Sequence, residues 1–189
     1  IVVANTNDAP TISSTAVTSV DEDSAYSYTT TASDVDVGDT VTLSCTTVPA
    51  WLTCTAGALS GTPDNDDVGS HSVVITASDG NGGSATDSFS IAVANTNDAP
   101  TITSTAVTAA TEDAAYTYTV TTADVDVNDG VTLTGTTVPS WATFTASTGV
   151  LAGTPLDANV GDNAVVITAS DGDASVTDTF TIAVANTND

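Results

Sequence analysis

Residues 71–94 read HSVVITASDGNGGSATDSFSIAVA. Val73, Ile75 and Ala77 fall at every second position, as do Phe89, Ile91 and Val93, with a glycine-rich polar turn between the two runs. An apolar period of two marks a half-buried strand. The stretch therefore predicts two strands, F near 71–78 and G near 85–94, whose apolar sides meet inside a sandwich.

Outward from this hairpin the same words return. VVITASDG at 73–80 recurs unchanged at 165–172, IAVA at 91–94 recurs at 182–185, and IVVA at 1–4 is a near copy. The tetrapeptide NTND begins at Asn5, Asn95 and Asn186, 90 and 91 residues apart. The chain thus holds two copies of one module, and its first residues are expected to be the last strand of a preceding module. The predicted boundaries are 1–8 for the end of a preceding repeat plus linker, 9–94 for repeat 1, 95–98 for a linker, 99–185 for repeat 2 and 186–189 for the start of a further linker. In repeat 1 the alternation predicts strand A near 10–18, B near 25–33, C near 40–48, D near 52–56 and E near 58–62, before F and G. Seven short strands in about 90 residues suggest an immunoglobulin-like sandwich. The fold class expected is all-β, two tandem seven-stranded Ig-like Greek-key sandwiches arranged end to end. Tyr26 and Tyr28 should face inward from strand B, and Trp51 and Trp141 should plug one end of each core. His71, at a strand start, is expected to be exposed and structural.

Composition narrows the function. There are 24 acidic residues, no Lys and no Arg, for a formal charge of −24. Nucleic acid and anionic membrane are excluded as partners, since both need a basic surface. No apolar run approaches the ~20 residues of a membrane span, and the N-terminus lacks the basic start of a signal peptide, so an export signal or anchor is expected elsewhere. Catalysis finds no foothold: a single His, no Lys for a Schiff base, no Gly-x-Ser-x-Gly elbow, no Walker loop. No enzyme is expected.

The acids cluster on loops. Glu22 and Asp23 lie in A–B, Asp34, Asp36 and Asp39 in B–C, Asp64, Asp66 and Asp67 in E–F, and Asp79 in F–G; Glu112, Asp124, Asp126 and Asp171 repeat the pattern. Strand parity sends B–C and F–G to one end of a sandwich and A–B and E–F to the other. Two carboxylates ~5 Å apart repel by roughly 3 kcal/mol at an effective dielectric of 20, so such clusters call for an external cation. Calcium, which takes 6–8 oxygen ligands, suits carboxylates and amide carbonyls; zinc or a redox metal would ask for His and Cys. An EF-hand is excluded for DVDVNDG, because Asp129 stands at the sixth position where Gly is required.

With these motifs in place, NTNDAP is similar to the cadherin interdomain calcium linker. DED and TED, DVDV, and TASDG resemble the accompanying cadherin ligand motifs. VPAWLTCTAGALSGTP and VPSWATFTASTGVLAGTP, followed by VVITASDG, resemble the Ig-type and dystroglycan-type cadherin-like repeats of large bacterial surface adhesins. The resemblance implies a middle junction formed by Glu22, Asn95, Asn97, Asp98, Asp124, Asp126 and Asp171. It implies a leading set of Asn5, Asn7, Asp8, Asp34, Asp36 and Asp79, and a trailing set of Asn186, Asn188, Asp189 and Glu112. Asp67, with Asn159 as counterpart, stands loosely for the absent Asp-Arg-Glu motif, and Asn95 stands where cadherins have Asp.

Cys45 and Cys54 bracket the C–D turn, where a disulfide is favoured over a free pair in an oxidising, extracellular setting. The function expected is a calcium-rigidified stalk or fibre segment of an extracellular adhesin, on a bacterial cell surface. Its partners would be neighbouring repeats of the same chain or filament, together with a cell-surface or environmental ligand. Two alternatives stand beside it: the repeating subunit of an extracellular polymeric filament, and a glycan- or ice-binding sandwich using a flat Thr array.

Overall fold

The computed structural model describes residues 4–126 and 129–188. Residues 1–3 of the expected leading strand and the ligand position Asp189 lie outside the described residues. The chain divides into two compact units, Ile1–Thr96 and Asn97–Asp189.

Unit 1 holds β1 (Thr11–Ile12), β2 (Ser19–Asp21), β3 (Tyr26–Thr29), β4 (Ala32–Ser33), β5 (Thr42–Thr47), β6 (Leu52–Thr55), β7 (Ala58–Gly61), β8 (Gly69–Ser78) and β9 (Ser84–Ala94). One sheet runs β2-β9-β8-β5 and the other β3-β7-β6, with β1 paired to β4. Unit 2 repeats the plan with β10 (Thr101–Ile102), β11 (Ala109–Thr111), β12 (Tyr116–Thr119), β13 (Thr122–Ala123), β14 (Thr132–Thr137), β15 (Ala142–Thr145), β16 (Val150–Gly153), β17 (Gly161–Ser170) and β18 (Ser175–Ala185). Its sheets run β11-β18-β17-β14 and β12-β16-β15. Both units are all-β Ig-like and cadherin-like sandwiches.

The F–G hairpin is the longest ladder in each unit, β8 with β9 from Ser78↔Ser84 to Gly69↔Val93. Its inward side carries Val73, Ile75, Ala77 and Ile91, all fully buried, and these pack on Tyr26, Tyr28, Leu52 and Leu59 of the facing sheet. Burying each Val, Leu or Ile contributes about 1.5–3 kcal/mol. The two tyrosines bury their rings and satisfy their hydroxyls within the protein: Tyr26 Oη donates to Val17 O at 2.7 Å and Tyr28 Oη to Asp87 at 3.1 Å. Burial pushes the Tyr26 phenol up to about 12.

Strand A differs from expectation. It is two short pieces: β1 pairs antiparallel with β4, and β2 pairs parallel with β9. The intervening residues cross from one sheet to the other, so one segment covers an edge of each, a protection that a continuous strand could not give both. Strand B divides likewise: β3 pairs with β7, in a register that the Thr30 N–H extends to Gly57 O at 3.0 Å, and β4 pairs with β1. His71 is half-buried rather than exposed. Its Nε2 meets Asp67 O at 2.5 Å, and its ring stands edge-on to Trp51 with centroids 5.9 Å apart.

Cys45 on β5 and Cys54 on β6 form a disulfide with Cα atoms 6.4 Å apart. Because β5 and β6 belong to opposite sheets, the bond staples the sandwich across its open side. Unit 2 fills the same place by packing. A Cβ on Gly135 would come within 3.1 Å of Phe144 Cβ, so the phenyl ring occupies the space that the sulfurs take in unit 1.

Candidate metal centre

Two constellations recur in each unit, one at the entry of the chain and one at its exit. At the entry of unit 1 the B–C loop, the F–G turn and the linker converge. Asn5 Nδ2 donates to Asp36 Oδ1 at 2.7 Å, and the Asp8 N–H donates to Asp36 Oδ2 at 2.7 Å. Asn7 Nδ2 donates to Asp79 Oδ2 at 2.8 Å. The Asp36 N–H closes an Asx turn on Asp34 Oδ1 at 2.9 Å. Carboxylate oxygens of Asp34, Asp36 and Asp39 lie within 4.8 Å of one another. Unit 2 repeats this with Asp98 N–H on Asp126 at 2.7 Å, Asn97 on Asp171 at 3.3 Å and Asp126 N–H on Asp124 at 3.0 Å.

Asp79 is buried at the root of the F–G turn, where the N–H groups of Asn81 and Gly83 point at it. The Asn7 amide first, then these N–H groups, hold its carboxyl below the ordinary range against the opposing effect of burial. Only a glycine fits at Gly83, since a Cβ there would stand 2.2 Å from Asp79 Oδ2 and 2.8 Å from Ala9 Cα. The Asp171 carboxyl is held down in the same way, first by the Ala174 N–H. Asp129, in the B–C loop of unit 2, is pushed up by burial and by Asp126, Asp124, Asp171 and Asp173.

At the exit of unit 1 the A–B loop is sewn to strand G and to the E–F loop. Glu22 N–H donates to Ala94 O at 2.9 Å and Asp23 N–H to Pro63 O at 2.8 Å. The Glu22 carboxylate, 1% exposed, accepts from the linker Thr96 N–H at 2.6 Å. Glu112 in unit 2 does the same with the N–H and hydroxyl of Thr187. Its carboxyl is held low, first by the Thr187 N–H against the opposing effect of burial, then by contact with Asp157.

The donor inventory of these sites fits a cation. Among the described residues seven buried side-chain polar atoms lack a hydrogen-bond partner, and five are carboxylate oxygens: Glu22 Oε2, Asp34 Oδ2, Glu112 Oε2, Asp124 Oδ2 and Asp126 Oδ1. Buried acceptors left without a donor are costly, and ionised ones more so. No Lys or Arg exists to neutralise them. An oxygen-only set of carboxylates and amides is the chemistry that hard divalent ions take.

The remaining expected ligands divide. Asn95, Asn186 and Asn188 are exposed on the linkers, and Asn186 donates to Thr187 O at 2.9 Å. Asp67 Oδ2 accepts from Asp64 N–H at 3.2 Å, and Asn159 Oδ1 accepts from Leu156 N–H at 2.9 Å. Both cap the 3-10 turn of their E–F loop. Asp39 and Asp129 join the entry cluster without having been assigned to it. Their place in the same acidic loop was the available signal.

Tandem β-sandwiches with an Asx-rich linker and acids at both loop ends define a class, the Ig-like and cadherin-like repeats. The chain belongs to the family described as "Putative Ig domain", which matches residues 9–94 and 99–185. Among solved structures, a PcdhgB3 EC1-4 fragment aligns over 98% of this chain and 52% of its own at 20% identity and TM-score 0.65. Human protocadherin-24 EC1-2 aligns over 95% of this chain and 100% of its own at 17% identity and TM-score 0.56. These likenesses concern the fold alone. An endo-fucoidan hydrolase of glycoside hydrolase family 107 aligns over 95% of this chain at 27% identity, but its TM-score of 0.43 is too low to carry an argument, and this chain spans 29% of its length. No curated protein matches the chain with significance. Among the described residues no helix is long and apolar enough to cross a membrane.

Proposed function

We propose that the chain is a calcium-rigidified tandem-repeat segment of an extracellular adhesin stalk or fibre, structural and adhesive rather than catalytic, on a bacterial surface. The observation that carries this reading is the set of buried carboxylate oxygens without donors, all on Glu22, Asp34, Glu112, Asp124 and Asp126. In unit 1 the exit acid Glu22 grips Thr96; in unit 2 the entry acids Asp126 and Asp171 grip Asp98 and Asn97. Thr96 and Asn97 are consecutive in the linker. Glu22, Asn95, Asn97, Asp98, Asp124, Asp126 and Asp171 would hold the ion there. Asn5, Asn7, Asp8, Asp34, Asp36 and Asp79 would hold the leading one, and Glu112 with Asn186, Asn188 and Asp189 the trailing one. A bound dication supplies the positive charge that turns mutual repulsion of these acids into shared attraction. The disulfide supports an oxidising, extracellular location.

Small-angle scattering in calcium and then in chelator tests the reading. A fixed particle in calcium that becomes a broad ensemble on chelation is expected; identical profiles would reject the proposal.

One observation favours a second reading, a glycan- or ice-binding module. On the outward side of unit 2, Thr134, Thr168 and Thr177 form a cross-strand row, with Thr168 and Thr177 hydroxyls 3.4 Å apart. Glycan-array binding or ice shaping, abolished by Thr168→Asp, would support it.

A further inference from the structure

The F–G turn reads Asp79-Gly80-Asn81-Gly82-Gly83 in unit 1 and Asp171-Gly172-Asp173-Ala174 in unit 2. The Asn81 N–H donates to Asp79 Oδ1 at 2.7 Å, and the Asp173 N–H donates to Asp171 Oδ1 at 2.7 Å. Asn81 and Asp173 therefore hold one structural position, filled by an amide in the first unit and by an acid in the second. Asn81 is exposed, and among the described residues no hydrogen bond holds its side chain. It is also the one Asn of the sequence that a glycine follows. Gly82 is exposed, with a φ of +113° and open space where a Cβ would stand, so no side chain crowds its nitrogen. The linker Asn residues differ. Each precedes Thr or Asp, whose Cβ crowds the next nitrogen, and Asn5 and Asn7 are in addition bound to Asp36 and Asp79.

We propose that Asn81 is a site of spontaneous deamidation, which ages the F–G turn of unit 1 where unit 2 already carries the product residue. Asn is a thermolabile side chain, and the reaction needs only water. The Gly82 nitrogen gives its proton to solvent base and attacks Asn81 Cγ. The new N–Cγ bond closes a five-membered succinimide as the Cγ–Nδ2 bond breaks, and the amide nitrogen takes up a proton and leaves as ammonia. Water then opens the ring at either carbonyl: breaking the N–Cγ bond yields Asp, and breaking the bond from that nitrogen to the main-chain carbonyl carbon of residue 81 yields isoaspartate. The two products differ in consequence. Asp leaves the main chain as it was and reproduces Asp173, whose turn keeps Asp171 bonded to the Asp173 and Ala174 N–H groups at 2.7 Å each. Isoaspartate adds a methylene to the main chain between residues 81 and 82, inside the clamp that the Asn81 and Gly83 N–H groups close on Asp79. Gly83 is packed too closely on Ala9 to absorb the added length, since even a Cβ there would stand 2.8 Å from Ala9 Cα. Isoaspartate therefore loosens the clamp on Asp79, the carboxylate that holds linker residue Asn7. No cation enters this chemistry, so it stands or falls apart from the calcium reading.

The test ages the full two-unit chain in mildly alkaline buffer and follows it by anion exchange and by mass spectrometry of peptic peptides, trypsin having no Lys or Arg to cut at. The expected result is a gain of one negative charge that maps to Asn81, accrues many times faster than at the exposed linker residue Asn95, yields both Asp and isoaspartate, and is lost in Asn81→Ser. Should Asn81→Ser fail to fold, Asn81→Asp decides in its place: it should elute with the aged chain from the outset and gain no further charge at that turn. Thermal unfolding of the isoaspartate fraction should show the unit 1 transition below that of Asn81→Asp, with unit 2 unchanged. An Asn81 that keeps its amide as long as Asn95 does would overturn the proposal. Equal transitions for the isoaspartate fraction and Asn81→Asp would overturn the loosening of the Asp79 clamp.

Discussion

Trp51 and Trp141 occupy the same place in the two units, but their indole N–H groups end differently. Trp141 Nε1 donates to Asn163 Oδ1 at 3.0 Å, and Asn163 Nδ2 donates onward to Asn159 O at 2.9 Å, tying the plug to the E–F turn. His71 stands in place of Asn163 in unit 1, where it meets Asp67 O but leaves Trp51 Nε1 buried without a partner. An unmade buried hydrogen bond costs about 1–3 kcal/mol. His71→Asn should therefore stabilise unit 1 by about 1 kcal/mol, read as a higher urea midpoint at unchanged m; a lower midpoint would contradict it. Acid titration tests the carboxylates at the same scale. Asp79, Asp171 and Glu112 have native pKa values below their ordinary ones. A depressed carboxyl adds stability that is full above its unfolded value and disappears as pH falls through the native one. Asp129, pushed up by its acidic neighbours, has the opposite sign: its protonation relieves repulsion as pH falls toward its raised value. In chelator, stability should thus rise on mild acidification and then collapse below about pH 4, the ordinary carboxylate range. A denaturant midpoint measured across pH 3–8 would reveal the maximum.

The disulfide joins opposite sheets in unit 1 alone, and its removal should act there alone. Closing a ~10-residue loop is worth about 2.5–3 kcal/mol in the chain-entropy model. Reduction, or Cys45→Ser with Cys54→Ser, should lower the transition of unit 1 by that amount and leave unit 2 in place, as two-transition calorimetry would show. Gly61 and Gly153 are the matching sensitive points on the middle strands β7 and β16. A Cβ at either would stand 2.2 Å from the carbonyl oxygen of Trp51 or Trp141. Backbone cannot yield as a flexible side chain would, so Gly→Ala at either position should cost at least about 1–3 kcal/mol in thermal unfolding. At this scale the F–G hairpin was legible because a strict alternation has one structural meaning. The splitting of strand A was not, because which sheet a strand joins depends on edges created elsewhere in the chain. The cap made by Asp67 was hidden for a related reason: Asp-Asn-Asp-Asp offers several acids at one turn, and only the folded loop shows which of them accepts from the Asp64 N–H.

Across the whole molecule the 24 acids and the absence of any cationic side chain make charge the dominant destabilising term that solvent can modify. Repetition made the clusters legible in the sequence, since turn acids alone would not recur beside an identical linker. Their chemistry took the structure, because only folding reveals that oxygens of Asp34, Asp124 and Asp126 are buried without donors. Two contributions can be separated by choice of ion. Sodium chloride screens the surface acids at all sites alike, shortening the Debye length to about 8 Å at 0.15 M. Buried oxygens are screened much less, so only an ion that enters the sites relieves them. At matched ionic strength, millimolar calcium should therefore raise the unfolding temperature above that in sodium chloride. Magnesium should do so less, because its small octahedral shell dehydrates reluctantly and suits a large oxygen set poorly. Binding of this kind stabilises by RT ln(1 + [L]/Kd), so the shift should keep growing with the logarithm of calcium after the sodium chloride effect has levelled. If calcium, magnesium and sodium gave coincident curves at equal ionic strength, the carboxylates would be responding to screening alone.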